Sequence, residues 1–380
     1  MKIQVKTTAL KEAVNKAIKA AINSKMVPLT GYLYLSIKDG AMTVVTCDGM
    51  DYFEIKTEGA SDGEFSIVLK ADVFSKMVAK TTSEFITLEL KDNVLMFTGN
   101  GTYKMSLPLN EEGNLIKWPT YDIMNENVET GTIKLATIKS IIVSNKAALA
   151  TSTDVPYLTN YCCASENGVI SADGYNICIN KSSIFKNNFL ILPLVFELLS
   201  IFNREDIDYR YDGIHIEFST DTMRLFVKPQ PQLDEYPIEP IGNYGNQEFP
   251  SSCAVSKSAL ISILDRLSLV ISDYDVNAVT LDFTKDGLVV TSANGNGSEL
   301  IAYQESSKFE PFVCTVDAEA LRRQVNARTS DILHIEYGLT NVIKFVDNAI
   351  IHIVALGAGD SDDDYSEELS EEYAENSEES

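Results

Sequence analysis

Residues 135–179 read LATIKSIIVSNKAALATSTDVPYLTNYCCASENGVISADGYNICI, and the plan of this stretch decides the fold. It opens with an apolar-periodic helix, passes a turn and ends in two alternating strands joined at Asn167-Gly168. Such a dipeptide is favoured in tight hairpins, where φ must be positive. The same order recurs over 8–55 and 256–301, with Asp39-Gly40 and Asp286-Gly287 at the hairpins. A second polar-Gly pair follows each within ten residues: Asp48-Gly49, Asp173-Gly174 and Asn294-Gly295. Leu10 to Gly40 and Ile138 to Gly168 both span 30 residues, and Leu260 to Gly287 spans 27. Self-similarity at this length marks a repeated architecture.

Behind each copy stands a second half on the same plan of strand, short helix and hairpin, at 65–107, 189–227 and 312–356. Phe74 and Phe196 hold matching places 122 residues apart. Six helix-plus-sheet half-units predict an α+β chain of three repeated domains, 1–122, 130–240 and 250–358. The joints are Pro-rich or polar, near 118–131 and 228–252. From Asp360 onward the chain carries eleven carboxylates and no cation. Such a block buries too little apolar area to offset its ordering entropy, so 359–380 is expected to be a disordered acidic tail.

Hydrophobic residues make up 45% and charged ones 23%, the balance of a soluble globular protein. No stretch approaches the roughly 20 apolar residues of a membrane span, and the N-terminal MKIQVKTTAL has no signal-like run. A cytoplasmic protein without a membrane partner is expected. The six cysteines form no C-x-x-C pair and the three histidines do not flank them, so neither zinc nor disulfides are expected. His215, His334 and His352 lie in alternating strand runs, where a satisfied structural imidazole is the simpler role. Asp48, Asp173 and Asn294 recur beside glycines, but turn chemistry accounts for them. With no P-loop or Rossmann glycine signature either, catalysis and cofactors are not expected.

The formal net charge of −24 argues against a nucleic-acid partner, since DNA binding rests on cations that neutralise phosphates. Its distribution reverses the argument. Helical segments predicted at 8–25, 70–80, 134–146, 193–204, 257–266 and 317–328 hold 16 of the 31 basic residues and six acids, a net of +10. The tail carries −11 and everything else −23. In the first helix Leu10, Val14, Ala17, Ile18 and Ala21 make an apolar face, and Lys16, Lys19 and Asn23 lie on another. A solvated face explains any one such helix. Five of the six with a positive balance, and none negative, imply a positive lumen if the sheets close into a ring with the helices inside. Lys11, Lys16, Lys19, Lys25, Lys70, Lys76, Lys80, Lys139, Lys146, Arg204, Arg266, Arg322 and Arg323 are the candidate contacts to duplex DNA.

With three such repeats, the chain resembles the DNA polymerase III beta subunit family, the bacterial-type DNA sliding clamps. Lys25-Met26-Val27-Pro28-Leu29-Thr30-Gly31-Tyr32-Leu33 is similar to the loop after the family's first helix. Ala172-Asp173-Gly174-Tyr175-Asn176-Ile177 and the joints Trp118-Pro119 and Tyr236-Pro237 extend the likeness over about residues 1–356. The resemblance implies a head-to-tail homodimeric ring with helices lining the channel, a processivity factor that encircles duplex DNA without reading its sequence. It implies a replicative polymerase and a clamp loader as partners, and a place at the nucleoid or replication site. It places Lys25 and Tyr157 against DNA. Leu158, Gly174, Tyr175, Asn176, Ile177, Pro237, Ile241, Val354 and Leu356 would line a groove for partner peptides. Tyr103 and Met105 would meet Leu267 and Val270 of a second copy.

Two departures set the chain apart. The family usually carries Thr-Asp-Gly-His-Arg-Leu at the groove, where Ala172 and Tyr175-Asn176 stand here, and it usually ends at the last strand, where Val354-Ala355-Leu356 leads into the tail. They point to a viral or otherwise divergent version with its own partner peptides. The rival reading is an acidic β-rich structural protein or DNA mimic that does not encircle DNA. Total charge favours it and the basic helices oppose it.

Overall fold

Each half of the first repeat lends its leading strand to the other half. In the computed structural model β1 (Lys2–Lys6) does not pair with the hairpin of its own half; it pairs antiparallel with β6 (Phe85–Lys91). Conversely β5 (Glu64–Lys70) pairs with β2 (Tyr32–Lys38). The other repeats do the same: β9 (Glu129–Lys134) joins β14 (Asp206–Tyr211), and β13 (Phe189–Ile191) joins β10 (Tyr161–Ala164). In the last, β17 (Ser251–Ser256) joins β23 (Ile332–Tyr337), and β22 (Phe312–Asp317) joins β18 (Ala278–Phe283). A half-unit is therefore incomplete alone.

The structure describes residues 2–21, 28–61, 63–91, 93–122, 128–271, 276–307 and 309–357. Lys25 and the whole 359–380 tail lie outside the described residues. The chain divides into two compact units. One comprises Met1–Ile142, Ser152–Val169 and Ser182–Tyr236, the other Val143–Thr151, Ile170–Lys181 and Pro237–Ser380.

The first unit holds the sheet β1-β6-β7-β8, with β7 (Val94–Thr98) and β8 (Thr102–Ser106), and an eight-stranded sheet β5-β2-β3-β4-β16-β15-β14-β9. Its further strands are β3 (Ala41–Cys47), β4 (Tyr52–Glu58), β15 (Ile216–Ser219) and β16 (Met223–Val227). Helices α1 (Thr7–Ala17) and α2 (Ala71–Lys80) bury Leu10, Val14 and Ala17 with Phe74 and Val78. At the β2–β3 hairpin both Asp39 (φ 51°) and Gly40 (φ 81°) adopt positive φ, as a two-residue turn that follows strand twist requires.

In the second unit β12 (Asn176–Asn180), β25 (Ile350–Ala355), β24 (Val342–Asp347), β23, β17 and β21 (Glu305–Ser307) follow one another in one sheet. A second sheet runs β20-β19-β18-β22, with β19 (Leu288–Ser292) and β20 (Ser298–Ile301). Between them lie α6 (Lys257–Leu267) and α7 (Ala318–Asn326), whose first turns are capped by Ser256 Oγ and Asp317 Oδ1. Both caps accept from the amide three residues on.

Several predicted helix limits shift. The first helix gives way to a 3-10 turn at Ile18–Ala20, and 193–204 is helical only over α4 (Pro193–Leu199). α3 spans Leu135–Asn145. A helix read as a joint is α5 (Ile238–Asn246), which escaped the periodicity because Pro240, Gly242 and Gly245 interrupt it. Among the described residues no helix is long and apolar enough to cross a membrane.

Candidate nucleic-acid and peptide interfaces

The basic residues of the helices fall into two groups once their neighbours are known. Lys11, Lys19, Lys70, Lys80 and Lys139 make no ion pair among the described residues, and all but the half-buried Lys11 are exposed. The arginines are already engaged. Arg204 grips Asp221 (Nε–Oδ1 3.2 Å, Nη2–Oδ2 2.5 Å) and Arg266 grips Glu299 (2.8 and 2.6 Å). Arg322 Nε donates to Asp265 (2.6 Å), and Arg323 Nη2 donates to Asp173 (2.8 Å). Lys16 pairs with Glu12 at 2.7 Å and Lys76 with Asp72 at 3.8 Å, each one helical turn apart. Lys146 is exposed on the 3-10 turn after α3. Exposed pairs are weak and exchange for phosphate readily.

The +10 of the helical segments overstates the cations on offer. Lys134 ends β9 and pairs with Asp206, Lys257 donates to the carbonyls of Asn326 and Arg328, and Arg328 is buried, donating to the carbonyls of Phe345 and Ile350. Tyr157, in the 3-10 turn Pro156–Thr159, is half-buried with its ring edge-on to Tyr236 at 6.1 Å.

The groove residues separate by strand alternation. Cross-strand partners share a face, and neighbours along a strand oppose each other. β12 pairs β25 with Asn176 opposite Val354, Ile177 opposite Ile353 and Cys178 opposite His352. Ile177 therefore shares a face with Ile179 and Ile353, whereas Asn176 and Val354 lie on the other face with Cys178 and His352. The Ile177 face is covered by α5, which approaches so closely that a Cβ on Gly245 would stand 2.5 Å from Ile179 Cδ1. Ile241, on α5, is buried, and Val354 is 2% exposed within the core of the second unit. Asn176 is buried as well, and none of the three is open to a peptide, which corrects the expected lining. The accessible residues of the second unit are Gly174, Tyr175 (76% exposed) and the half-buried Ile177, Pro237 and Leu356. Leu158, half-buried in the first unit, completes the expected set.

Asp173 shapes the turn. Its Oδ1 accepts from the amides of Tyr175 (3.0 Å) and Asn176 (2.6 Å) and its Oδ2 from Arg323, while Gly174 takes φ 96°, which no side chain would adopt without strain. Tyr175 is thus presented at the tip, its carbonyl held by the amide of Ala355 (2.9 Å).

Behind this turn lies a buried polar set that strand reading of the histidines did not resolve. His352 Nδ1 donates to Gln324 Oε1 (2.7 Å), and Gln324 Nε2 in turn donates to Ala147 O (2.8 Å). With the proton on Nδ1, Nε2 is left to accept from the Cys178 thiol at 3.4 Å. Burial, helped by the Arg328 charge, lowers the His352 pKa to about 3, so the imidazole is neutral. Burial likewise pushes the Cys162, Cys178, Cys253 and Cys314 thiols up to about 12, which suits packing and not nucleophilic or metal chemistry.

Of the expected intersubunit residues, Tyr103 is exposed and Met105 half-buried on β8, an edge strand with a partner on one side only. Val270 is exposed and its neighbour Leu269 more so, but Leu267 is part of the core of its own unit and offers little to a second chain.

Comparison with known proteins places this architecture. Residues 1–114 match the family model of the DNA polymerase III beta subunit, N-terminal domain. A beta sliding clamp of Halalkalibacterium halodurans is 24% identical over 323 residues, covering 80% of this chain and 76% of the relative. The crystal structure of the DNA polymerase sliding clamp from Bacillus subtilis superposes with a TM-score of 0.81 at 17% identity, covering 94% of this chain and 99% of that one. The beta subunit of Thermotoga maritima gives 0.78 at 17% identity over the same shares. The fold is that of the DNA sliding clamps. Residues 1–114 resemble the N-terminal domain of the DNA polymerase III beta subunit, and identity to the relatives named is low.

Proposed function

We propose that the chain is a non-enzymatic processivity factor: two copies joined head to tail encircle duplex DNA and tether a replicative polymerase and a clamp loader through the surface around Tyr175. The observation that carries this reading is a repeated strand junction. β4 pairs antiparallel with β16, the last strand of the next repeat, and β12 pairs in the same way with β25. By the same rule β20, the counterpart of β4 and β12 in the third repeat, calls for a strand like β16 and β25, and β8 is their counterpart in the first. Each is an edge in its own sheet. An uncovered edge templates strand addition, and two complementary edges on one chain build a heterologous interface that closes or polymerises. The same arrangement supports a division into domains 1–122, 130–240 and 250–358, with joints that cross the junctions.

The lysines Lys19, Lys70, Lys80 and Lys139, with the paired arginines as a reserve, supply a sequence-blind field for DNA. End-blocking separates encirclement from surface binding. Protein incubated with linear duplex before both ends are capped with streptavidin should stay on the DNA through a high-salt wash and leave when the duplex is cut. Protein added after capping should not be retained. Retention independent of ends and cutting would refute encirclement and favour an ordinary surface binder.

A further inference from the structure

Among the described residues, the outer face of one sheet in the third repeat is partly open to solvent. Across β20-β19-β18-β22 the register sets Leu300, Val289, Asp282 and Val313 in one row, opposite the face of the core residues Leu281 and Val290. Leu300 and Val313 are 56% and 60% exposed. The matching row of the first repeat is Lys56, Thr43, Ser36 and Ser66, which water suits.

The first two repeats cover such faces with the chain that follows them. After β8, Trp118 stacks on Tyr34 (5.9 Å), Tyr121 stacks on Tyr52 (4.3 Å) and donates to Glu54 (3.0 Å), and Asp122 pairs with Arg224 of β16 (3.1 Å). After β16, the amide of Gln230 donates to the carbonyl of Leu190 on β13 (2.8 Å), and the chain goes on into α5 over β12 and β25. The third repeat begins in the same way: beyond β25 the amide of Gly357 donates to the carbonyl of Thr315 on β22 (2.8 Å). Leu190 and Thr315 hold the same place, two residues before the N-cap of the following helix. The last described residue, Gly357, thus stands where Gln230 stands in the second connector.

The spacing carries on. α5 starts eight residues after Gln230, and eight residues after Gly357 comes Tyr365. Tyr365, Leu369 and Tyr373 recur at every fourth residue, the interval that puts side chains on one side of a helix, and besides two alanines they are the only apolar side chains after Gly357. On β8, Lys104 is exposed on the face away from the buried Leu95 and Phe97, as Arg224 is turned outward on β16 toward Asp122.

We propose that Tyr365, Leu369 and Tyr373 bind the outer face at Leu300, Val289 and Val313 of their own chain, and that the tail continues onto the β8 strand of a second copy, its carboxylates meeting Lys104. The tail is then the third connector, made between copies, and it holds the ring shut. This rests on the head-to-tail pairing proposed above.

Sedimentation equilibrium on four proteins tests it: full length, a truncation after Gly357, the full-length triple variant Tyr365→Ser/Leu369→Ser/Tyr373→Ser, and Met105→Asp on β8. The truncation and the triple variant should each raise the dimer Kd at least tenfold with unchanged thermal unfolding of the monomer. A tail that only solubilises predicts the opposite for the truncation, since removing eleven carboxylates per copy lessens repulsion. An unchanged Kd in the triple variant, or a tighter truncated dimer, overturns the proposal. If dimerisation survives Met105→Asp, the head-to-tail reading itself fails; if Met105→Asp disrupts the dimer while the tail variants do not, only the tail proposal does. A full-length chain that stays monomeric overturns both.

Discussion

His352 shows how a residue assigned to a strand by its neighbours acquires a chemical state from the fold. Its sequence context, IIHIVAL, announces a buried strand and nothing about protonation. The neutral imidazole is made by Gln324, which arrives from α7, and by Cys178 across the β12–β25 junction. The group's pKa falls from 6.5 in the unfolded chain to about 3 in the fold, so its contribution is fully present above pH 6.5 and is lost as pH falls toward 3. Each pH unit in that window costs about 1.4 kcal/mol. Urea unfolding at pH 7 and pH 5 should therefore show a loss of about 2 kcal/mol from this residue. In His352→Gln that part of the acid sensitivity should vanish. An identical pH dependence in the two proteins would mean that His352 titrates alike in the folded and unfolded chain.

At the scale of elements, alternation along β25 and β12 separates the groove into what a peptide can touch and what the core needs. Tyr175 stands out at the tip of the Asp173 turn, whereas Val354 is turned toward the helices on the opposite face from Ile177. Tyr175→Ala should weaken an apolar partner peptide by several-fold or more, with thermal stability unchanged, as read by fluorescence polarisation beside calorimetry. Val354→Asp should unfold the second unit, because an unpaired buried carboxylate costs several kcal/mol. Should Val354→Asp instead fold normally and lose only peptide binding, Val354 would face the groove after all. Sequence reasoning found the Asp173-Gly174 turn and both strands. It could not find α5, whose glycines and prolines lower helix propensity but whose small residues let it lie against Ile179.

For the molecule as a whole, the proposed interaction with DNA turns on where the charge sits more than on its total. Most of the acids face water elsewhere, while Lys19, Lys80 and Lys139 stand on helical segments without a carboxylate partner among the described residues. Replacing these three with Glu should leave unfolding within about 0.5 kcal/mol, as exposed sites do, and flatten the salt dependence of duplex binding. Each phosphate contact removed lowers the log–log slope by about 0.9, so a change near 3 is expected if all three meet DNA. An unchanged slope would take these helices off the DNA path. Repeat length, hairpin positions, the helical lysines and the acidic tail were legible in the chain by itself, because local propensity and periodicity encode them. Three things required the tertiary structure: the exchange of leading strands between half-units, the pairing of the arginines with distant acids, and the split of the groove residues between two faces. All three depend on contacts between residues far apart in sequence, and periodicity records which face a residue occupies but not what meets that face.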